Sequence, residues 1–439
     1  MNISIGAATA KILLPAEKDV ETAALTKAAW RLLPLLMFAY LCSYLDRINV
    51  GFAKLEMAQD LSFSDSVYGF GAGIFFLGYF LFEVPSNLLL HRFGARVWIT
   101  RIMITWGLIS GAMMFVSTPM QFYIMRFLLG AGEAGFIPGV IYFLTYWFPS
   151  YWRGRVLGVF YIALATSGVV GGPLSGMVLQ YLSGVAGLHG WQWLFVVEAL
   201  PTIAAGLLIY LFLVDRPADA AWLQPEEREA ITAAINSEEQ HKPHFSFGQL
   251  LSNRNLILMT VAFFINNFAI YGLNFWMPTL IQAMGVTQPG AIGLAAGATS
   301  LFAILTMVAF GRSADRRKER RWHLAALFLC GAAGFAIAGF GEHSALVGLI
   351  GLCLAQMGIL AVPALFWALP TAILGGVGAA AGIALINSLA NLSGFLGPYV
   401  VGFVKDATGA TVGSIYLIAG LLVFAALLIL RVPAQLVNK

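Results

Sequence analysis

The chain has 439 residues, of which 59% are hydrophobic and 10% charged, with mean hydropathy +0.82 and formal net charge +4. A soluble domain carries about 25% charged residues, so a water-soluble globular enzyme is all but excluded. Twelve membrane-crossing helices of about 20 residues would use about 240 residues, close to what the apolar share of this chain supplies.

The first thirty residues include Lys11, Glu17, Lys18, Asp19, Glu21 and Lys27. They lack an apolar core followed by a small-residue cleavage site, so they read as a cytoplasmic tail and not as a cleaved signal. Apolar runs follow at roughly 31–52, 68–90, 97–116, 120–144, 155–182 and 191–213. A polar stretch at 214–254 contains Pro217, Pro225, Pro243 and five glutamates, and Gln224 to Glu239 reads as a short surface helix. Six more runs fall at about 255–283, 290–310, 322–340, 344–370, 376–404 and 412–431. Each is long enough to span, and none shows the ten-residue alternation of a barrel strand. The expected fold is an all-α membrane protein of twelve transmembrane helices in two six-helix halves. Its parts are a tail at 1–30, a bundle at 31–213, a cytoplasmic linker at 214–254, a bundle at 255–431 and a tail at 432–439.

The placement of Lys and Arg sets the orientation. With the N-terminus inside, 21 of the 25 basic residues fall in cytoplasmic segments, among them Arg92, Arg96, Arg153, Arg155, Lys242, Arg312, Arg316, Arg317, Lys318, Arg320, Arg321 and Lys439. The outer loops hold only Lys54 and Lys405, while Arg47 and Arg126 lie inside helices. One missed helix would invert every later loop, so both termini are expected in the cytoplasm of a plasma membrane, here a bacterial inner membrane. The three cysteines, Cys42, Cys330 and Cys353, sit in apolar runs and read as packing residues. No Cys/His metal spacing exists, so neither metal nor cofactor nor nucleic acid is expected.

The two halves repeat. Asn87-Leu-Leu-Leu-His91-Arg92-Phe-Gly94-Ala-Arg96 follows the second run, and Gly311-Arg-Ser-Ala-Asp315-Arg316-Arg-Lys-Glu-Arg320 follows the eighth. Run five contains Ser167-Gly-Val-Val-Gly-Gly-Pro173-Leu-Ser-Gly176, and run eleven Ser393-Gly-Phe-Leu-Gly397-Pro398-Tyr-Val-Val-Gly402. Internal duplication with a central site is a transporter architecture. These loops resemble the signature of the major facilitator superfamily. The second copy matches at Gly311, Asp315, Arg316 and Arg320, whereas Asn87 and His91 replace the glycine and aspartate of the first. Tyr44-Leu-Asp46-Arg47-Ile-Asn49, Arg126-Phe-Leu-Leu-Gly-Ala-Gly-Glu133-Ala-Gly-Phe-Ile-Pro138 and Gly382-Ile-Ala-Leu-Ile-Asn387-Ser-Leu-Ala-Asn391 resemble its anion:cation symporter branch. That resemblance implies uptake of tartrate, a sugar acid or an aromatic acid such as phthalate.

An ionisable side chain inside a membrane helix points to function by default. The first half holds six: Asp46, Arg47, Glu83, Arg126, Glu133 and Glu198. Helices 7 to 12 hold essentially none. Arg126 and Glu133 are two helical turns apart on nearly one face, with a rise of about 10 Å. Tyr40, Tyr44 and Arg47 share one stripe of helix 1. Two arginines fit a carboxylate or dicarboxylate, since the guanidinium is a planar bidentate fork. Asp46 and Glu133 are the candidate proton sites. The four charges cancel when all are ionised, so an anion gains most once both acids carry protons. Proton and substrate binding then reinforce each other. The alternative is that these charges are buried ion pairs joining helices 1 and 4.

Further expected substrate contacts are Tyr44, Tyr79, Asn274, Trp367 and Asn391. Asn267, Tyr271 and Asn274 form one stripe, Asn387 and Asn391 another, and amides also bridge membrane helices in packing roles. Glu83 is assigned to gating, with Asp315, Arg316 and Arg320 of the second basic loop; Glu198 reads as structural. The expected function is proton-coupled uptake of a small organic anion by a monomer in a lipid bilayer. An exchanger or effluxer of the same fold is the alternative, and a non-transporting sensor is the reading from another class. The glycine-rich stretch of run five resembles the signature of drug exporters, but it also fits close helix packing.

Overall fold

The computed structural model describes residues 15–239, 253–341, 343–373 and 376–437. Lys11, Lys242, Pro243 and Lys439 lie outside the described residues. Helices α1 (Pro15–Asp60), α2 (Asp65–Phe93), α3 (Ala95–Ala112), α4 (Pro119–Glu133), α5 (Phe136–Trp147), α6 (Ser150–Leu182) and α7 (Gly190–Phe212) come first. The linker helix α8 (Pro225–Glu239) follows where the polar stretch predicted one. Then come α9 (Arg254–Ala283), α10 (Pro289–Arg317), α11 (Arg321–Ala338), α12 (Ala345–Phe366), α13 (Ala368–Ile373), α14 (Gly376–Thr408), α15 (Val412–Leu430) and α16 (Ala434–Val437). Eleven helical stretches among the described residues are long and apolar enough to cross a membrane. Every backbone group can be satisfied within such a helix, which hydrocarbon requires.

Three expected boundaries shift for identifiable reasons. α1 begins at Pro15 and not near 31, because no glycine or proline interrupts the chain up to Trp30 and Ala24, Leu25 and Ala28 are buried. This extension packs on α8, where Lys27 Nζ lies 2.8 Å from Glu227 Oε2. The Lys27 ammonium and the backbone N–H of Gln224 hold the Glu227 carboxyl below the usual carboxylate range. The run at 120–144 breaks into α4 and α5 at Ala134 and Gly135, whose φ is +88°. A side chain there would be strained and would run into Ser86. Pro138 then sits in the first turn of α5, where no helical N–H is required. The run at 344–370 likewise breaks at Trp367.

The early and late helices meet along two antiparallel seams, α6 with α10 and α2 with α14, with α1 against α9 between them. Glycines allow the closest approach. A Cβ on Gly172 would lie 2.6 Å from the Gly293 carbonyl oxygen, the small-residue contact expected of membrane helices. One face of the bundle is sealed by polar bonds. Lys54 Nζ reaches Asp65 Oδ1 at 2.6 Å, Lys405 Nζ reaches Asp65 Oδ2 at 3.0 Å, and Asp406 accepts from the N–H groups of Asp65 and Ser66 at 3.1 and 2.8 Å. Lys54 also lies 4.0 Å from the centre of the Trp276 ring. At the opposite face, which carries the two basic loops, a methyl group on Gly158 or Gly311 would meet nothing within 4 Å. Lys54, expected in a loop, is an interior residue of α1 and 6% exposed.

Candidate functional site

Two arginines stand in an aromatic cage between the seams. Arg47 on α1 and Arg126 on α4 are 9% and 0% exposed. Arg47 is ion-paired through Nη2 with Glu133 Oε1, which also accepts from Ser43 Oγ at 3.0 Å. Its Nη1 lies 3.4 Å from the hydroxyl of Tyr271 on α9. Its guanidinium carbon sits 5.3 Å from the centre of the Phe75 ring and 5.5 Å from that of Tyr79. The break after α4 leaves Glu133 as that helix's last residue and buries it completely.

Arg126 is held differently. Its Nε and Nη2 reach the backbone carbonyls of Gly71 and Ala72 at 3.4 and 3.2 Å, while Nη1 is buried without a hydrogen-bond partner. Among the described residues no carboxylate lies within ion-pair distance of it. Phe75 and Phe275 flank it, with ring centres at 5.0 and 5.8 Å. Aromatic faces favour a cation but cannot discharge it. One arginine is therefore neutralised and the other is not, an asymmetry that the chain's formal charges do not reveal.

The structure separates the expected acids. Glu133 belongs to the cage. Asp46 turns away from it, about 100° around α1 from Arg47, and accepts from Ser110 Oγ on α3 at 2.9 Å and from Thr202 Oγ1 on α7 at 2.7 Å. Glu133 is thus ion-paired with Arg47, whereas Asp46 makes no ion pair with either arginine among the described residues. The physical reason is that α3 and α7 offer hydroxyl donors on the far side of α1.

Tyr44 and Asn274 meet as expected. Asn274 Nδ2 donates to the Tyr44 hydroxyl at 2.9 Å, and Gln356 Nε2 on α12 donates to Asn274 Oδ1 at 3.1 Å. This chain of polar groups lines a cavity of about 40 Å³ together with Leu164, Ser300 and Met307. That is room for about three waters, too little for an organic acid. Trp367 packs instead on Phe263 and Phe366, with ring centres at 4.9 and 5.3 Å, two turns of α9 from Tyr271. Asn391 is half-buried on α14. A Cβ on Gly73 would meet Phe395, and one on Gly394 would meet Phe76, so Asn391 falls opposite the turn of α2 that bears Tyr79.

Glu83 is 7% exposed, and Ser388 of α14 lies within its hydrogen-bonding reach, so it touches the seam. Asp315 is largely exposed and reaches Arg320 of its own loop at 3.4 Å; Arg316 is exposed. The first basic loop has His91 where the second has Asp315, and there Asp215, which follows α7, accepts from the backbone N–H of Arg96 at 2.8 Å. Sequence reasoning missed Gln356, Ser43, Ser110 and Phe275. Gln356 had a usable signal, as a lone amide within an apolar run; the hydroxyls and the ring had none.

Comparison with known proteins agrees with this architecture. The family model of the Major Facilitator Superfamily matches residues 36–398. The candidate metabolite transport protein NicT of Pseudomonas putida is 44% identical over 94% of this chain and 95% of its own. A candidate tartrate transporter of Agrobacterium vitis is 44% identical over 94% of this chain and 92% of its own. A bacterial homologue of the human lysosomal transporter Spinster, solved in an inward-facing and occupied conformation, superposes with a TM-score of 0.75 at 17% identity, over 91% of this chain and 96% of its own. The chain is a multi-pass membrane transport protein, not an enzyme, and it belongs to the major facilitator superfamily.

Proposed function

We propose that this transporter takes up a small organic anion, a carboxylate or dicarboxylate, together with protons by alternating access. One observation carries the reading. Arg126 is a fully buried cation with an orphaned Nη1 and no ion-paired acid among the described residues. A buried charge demands a partner, and an anion entering the cage supplies it. The guanidinium fork suits a carboxylate, and the flanking Phe75 and Phe275 suit a compact carbon skeleton or a planar one.

Coupling follows from the Arg47–Glu133 pair. While Glu133 is ionised it occupies Arg47. A proton on Glu133 frees Arg47 for a second carboxylate oxygen, so proton and anion favour each other. The reading includes twelve spans in two halves, with the linker and both termini cytoplasmic, and monomeric operation. Tyr44, Tyr79, Asn274, Trp367 and Asn391 are proposed as further substrate contacts, with Trp367 and Asn391 engaging only as the seams rearrange. Glu83, Asp315, Arg316 and Arg320 are proposed to gate the basic-loop face. The names of the relatives, a tartrate and a metabolite transporter, support a small acid as cargo.

Calorimetry on purified protein tests the anion site across a panel of tartrate, sugar acids and aromatic acids. The expected result is saturable binding of at least one acid, lost in Arg126→Ala. Binding of amines or neutral sugars alone would overturn the reading.

A further inference from the structure

The carboxylate of Asp46 belongs to a second buried polar site, on the side of α1 away from the cage. Six side chains from four helices form it: Asp46 and Asn49 of α1, Ser110 of α3, Ser175 of α6, and Glu198 and Thr202 of α7. None is more than 2% exposed. Ser110 and Thr202 donate to the two oxygens of Asp46, and Ser175 Oγ donates to Glu198 Oε1 at 2.7 Å. Thr202 follows Glu198 by one helical turn and so stands between the two carboxyl groups.

Three atoms of these six side chains are left over, and Trp106 Nε1 of α3, beside Asp46, is also buried without a partner. Glu198 Oε2, Asn49 Oδ1 and Asn49 Nδ2 are buried and without hydrogen-bond partners, although the Asn49 amide adjoins the Glu198 carboxyl. Buried polar atoms are otherwise paired almost without exception. Two of the three are acceptors, so a single hydrogen placed between them satisfies both. The charge argument agrees. Two carboxyl groups lie in one site whose surrounding donors, the hydroxyls with the Trp106 indole and the Asn49 amide, are all uncharged, and ionised carboxylates without a cation are costly inside a membrane protein. From α1 the site is faced by Cys42 and Asp46, and from α7 by Glu198; α3 presents Ser110 and Trp106, and α6 presents Ser175. Glu133 and Arg126 of α4 also act electrostatically on Asp46 from beyond them.

We propose that Asp46 and Glu198 form one proton-holding pair, separated from the arginine cage by α1, and that Glu198 Oε2 carries the proton and donates it to Asn49 Oδ1. Removing that proton leaves Oε2 an acceptor, which the Asn49 Nδ2 group can meet once the amide turns over. Asn49 therefore registers the charge state of the pair. Asp46 adjoins Arg47 in the chain, so a change in the pair reaches the cage through the same turn of α1. Glu198 acts in this scheme as a positioning residue for the coupled proton. A sodium ion fits less well: the vacant acceptors number two, and the other oxygens are engaged in donor bonds. The proton's use in coupling rests on the symport reading above; its location does not.

Infrared difference spectroscopy of the full-length protein in lipid bilayers tests the location without any substrate. Spectra are recorded between about pH 5 and pH 9, a range wide enough to reach shifted carboxyl groups. The expected result is a carboxylic-acid carbonyl band that disappears in Glu198→Gln, persists in Glu133→Gln, moves in frequency in Asn49→Leu and returns in Glu198→Asp. A band unchanged by Glu198→Gln, or no carboxylic-acid band in the wild type, overturns the proposal. So does erasure of the wild-type band when sodium replaces choline, which would identify a sodium site. Because no flux is measured, a failed transport reading leaves this result intact. Conversely, a Glu198→Gln protein that lacks the band yet still concentrates an anion with the wild-type pH dependence separates the location from its role in coupling.

Discussion

Arg126 differs from Arg47 in one respect with large consequences: its charge has no carboxylate partner among the described residues. Truncating one member of a buried hydrogen-bonded charge pair costs about 2–5 kcal/mol, which is about 30-fold or more in affinity. Arg126→Ala is therefore expected to weaken anion binding at least about 30-fold by calorimetry. Arg126→Lys keeps the charge and loses the fork, for an expected loss of about tenfold. Near-wild-type affinity in Arg126→Ala would show that the cage does not hold the anion. Glu133→Gln removes the acid that occupies Arg47 and keeps its shape. It is expected to retain binding but to make affinity independent of pH, and to abolish accumulation driven by a proton gradient. An unchanged pH dependence of binding in Glu133→Gln would remove Glu133 from the coupling role.

At the scale of elements, the closed state is held from the Lys54 face. Lys54, Asp65, Lys405 and Asp406 tie α1 and α2 to the C-terminal end of α14, and the Lys54 chain lies against Trp276 of α9. Under the proposed alternating access the early and late helices part at this face when the site opens to that side, so weakening the tie is expected to shift the population. Asp65→Asn removes two ion pairs at once. Spin labels at positions 183 and 287 are expected to show a larger long-distance population in Asp65→Asn than in the wild type. Identical distance distributions would reduce these residues to surface charge. The second basic loop is the counterpart. Among the described residues Asp315 pairs only with Arg320 of its own loop, so under the proposed gating role Asp315→Asn is expected to leave this state intact and to weaken the state in which that face is closed. Distances between the 91–96 and 312–320 loops check this, and an unchanged distribution would limit the loop to orientation. Much of this level was legible in the sequence. The apolar runs located most of the helices, and the departures were the early start of α1 at Pro15, whose polar first turns carry no hydropathy signal, and the breaks at Gly135 and Trp367, because a run of hydropathy does not register a local turn. Lys54 and Lys405 were visible as the two basic residues expected in outer loops, but their joint partner was not, since only tertiary packing brings α1, α2 and α14 together.

At the scale of the molecule, the charged residues divide between two sites on either side of α1. The sequence showed six ionisable groups in the first half and put four of them, Asp46, Arg47, Arg126 and Glu133, in one constellation, with Glu83 at a gate and Glu198 in a structural role. Asp46 and Arg47 are neighbours in the chain, yet helical geometry turns them about 100° apart, and hydroxyls on α3 and α7 receive the acid. Those hydroxyls look like ordinary small residues in an apolar run, so the division could not be read without the fold. Under the proposed symport, protons entering down their gradient release Arg47 from Glu133 and favour an anion beside Arg126. Uptake into liposomes by purified protein tests this most directly, with pH and voltage set independently across a panel of organic acids. The account predicts that an inward proton gradient drives accumulation of at least one acid, and that Arg126→Ala and Glu133→Gln each abolish it. Accumulation that survives both substitutions, or its absence for every acid in the wild type, would contradict it.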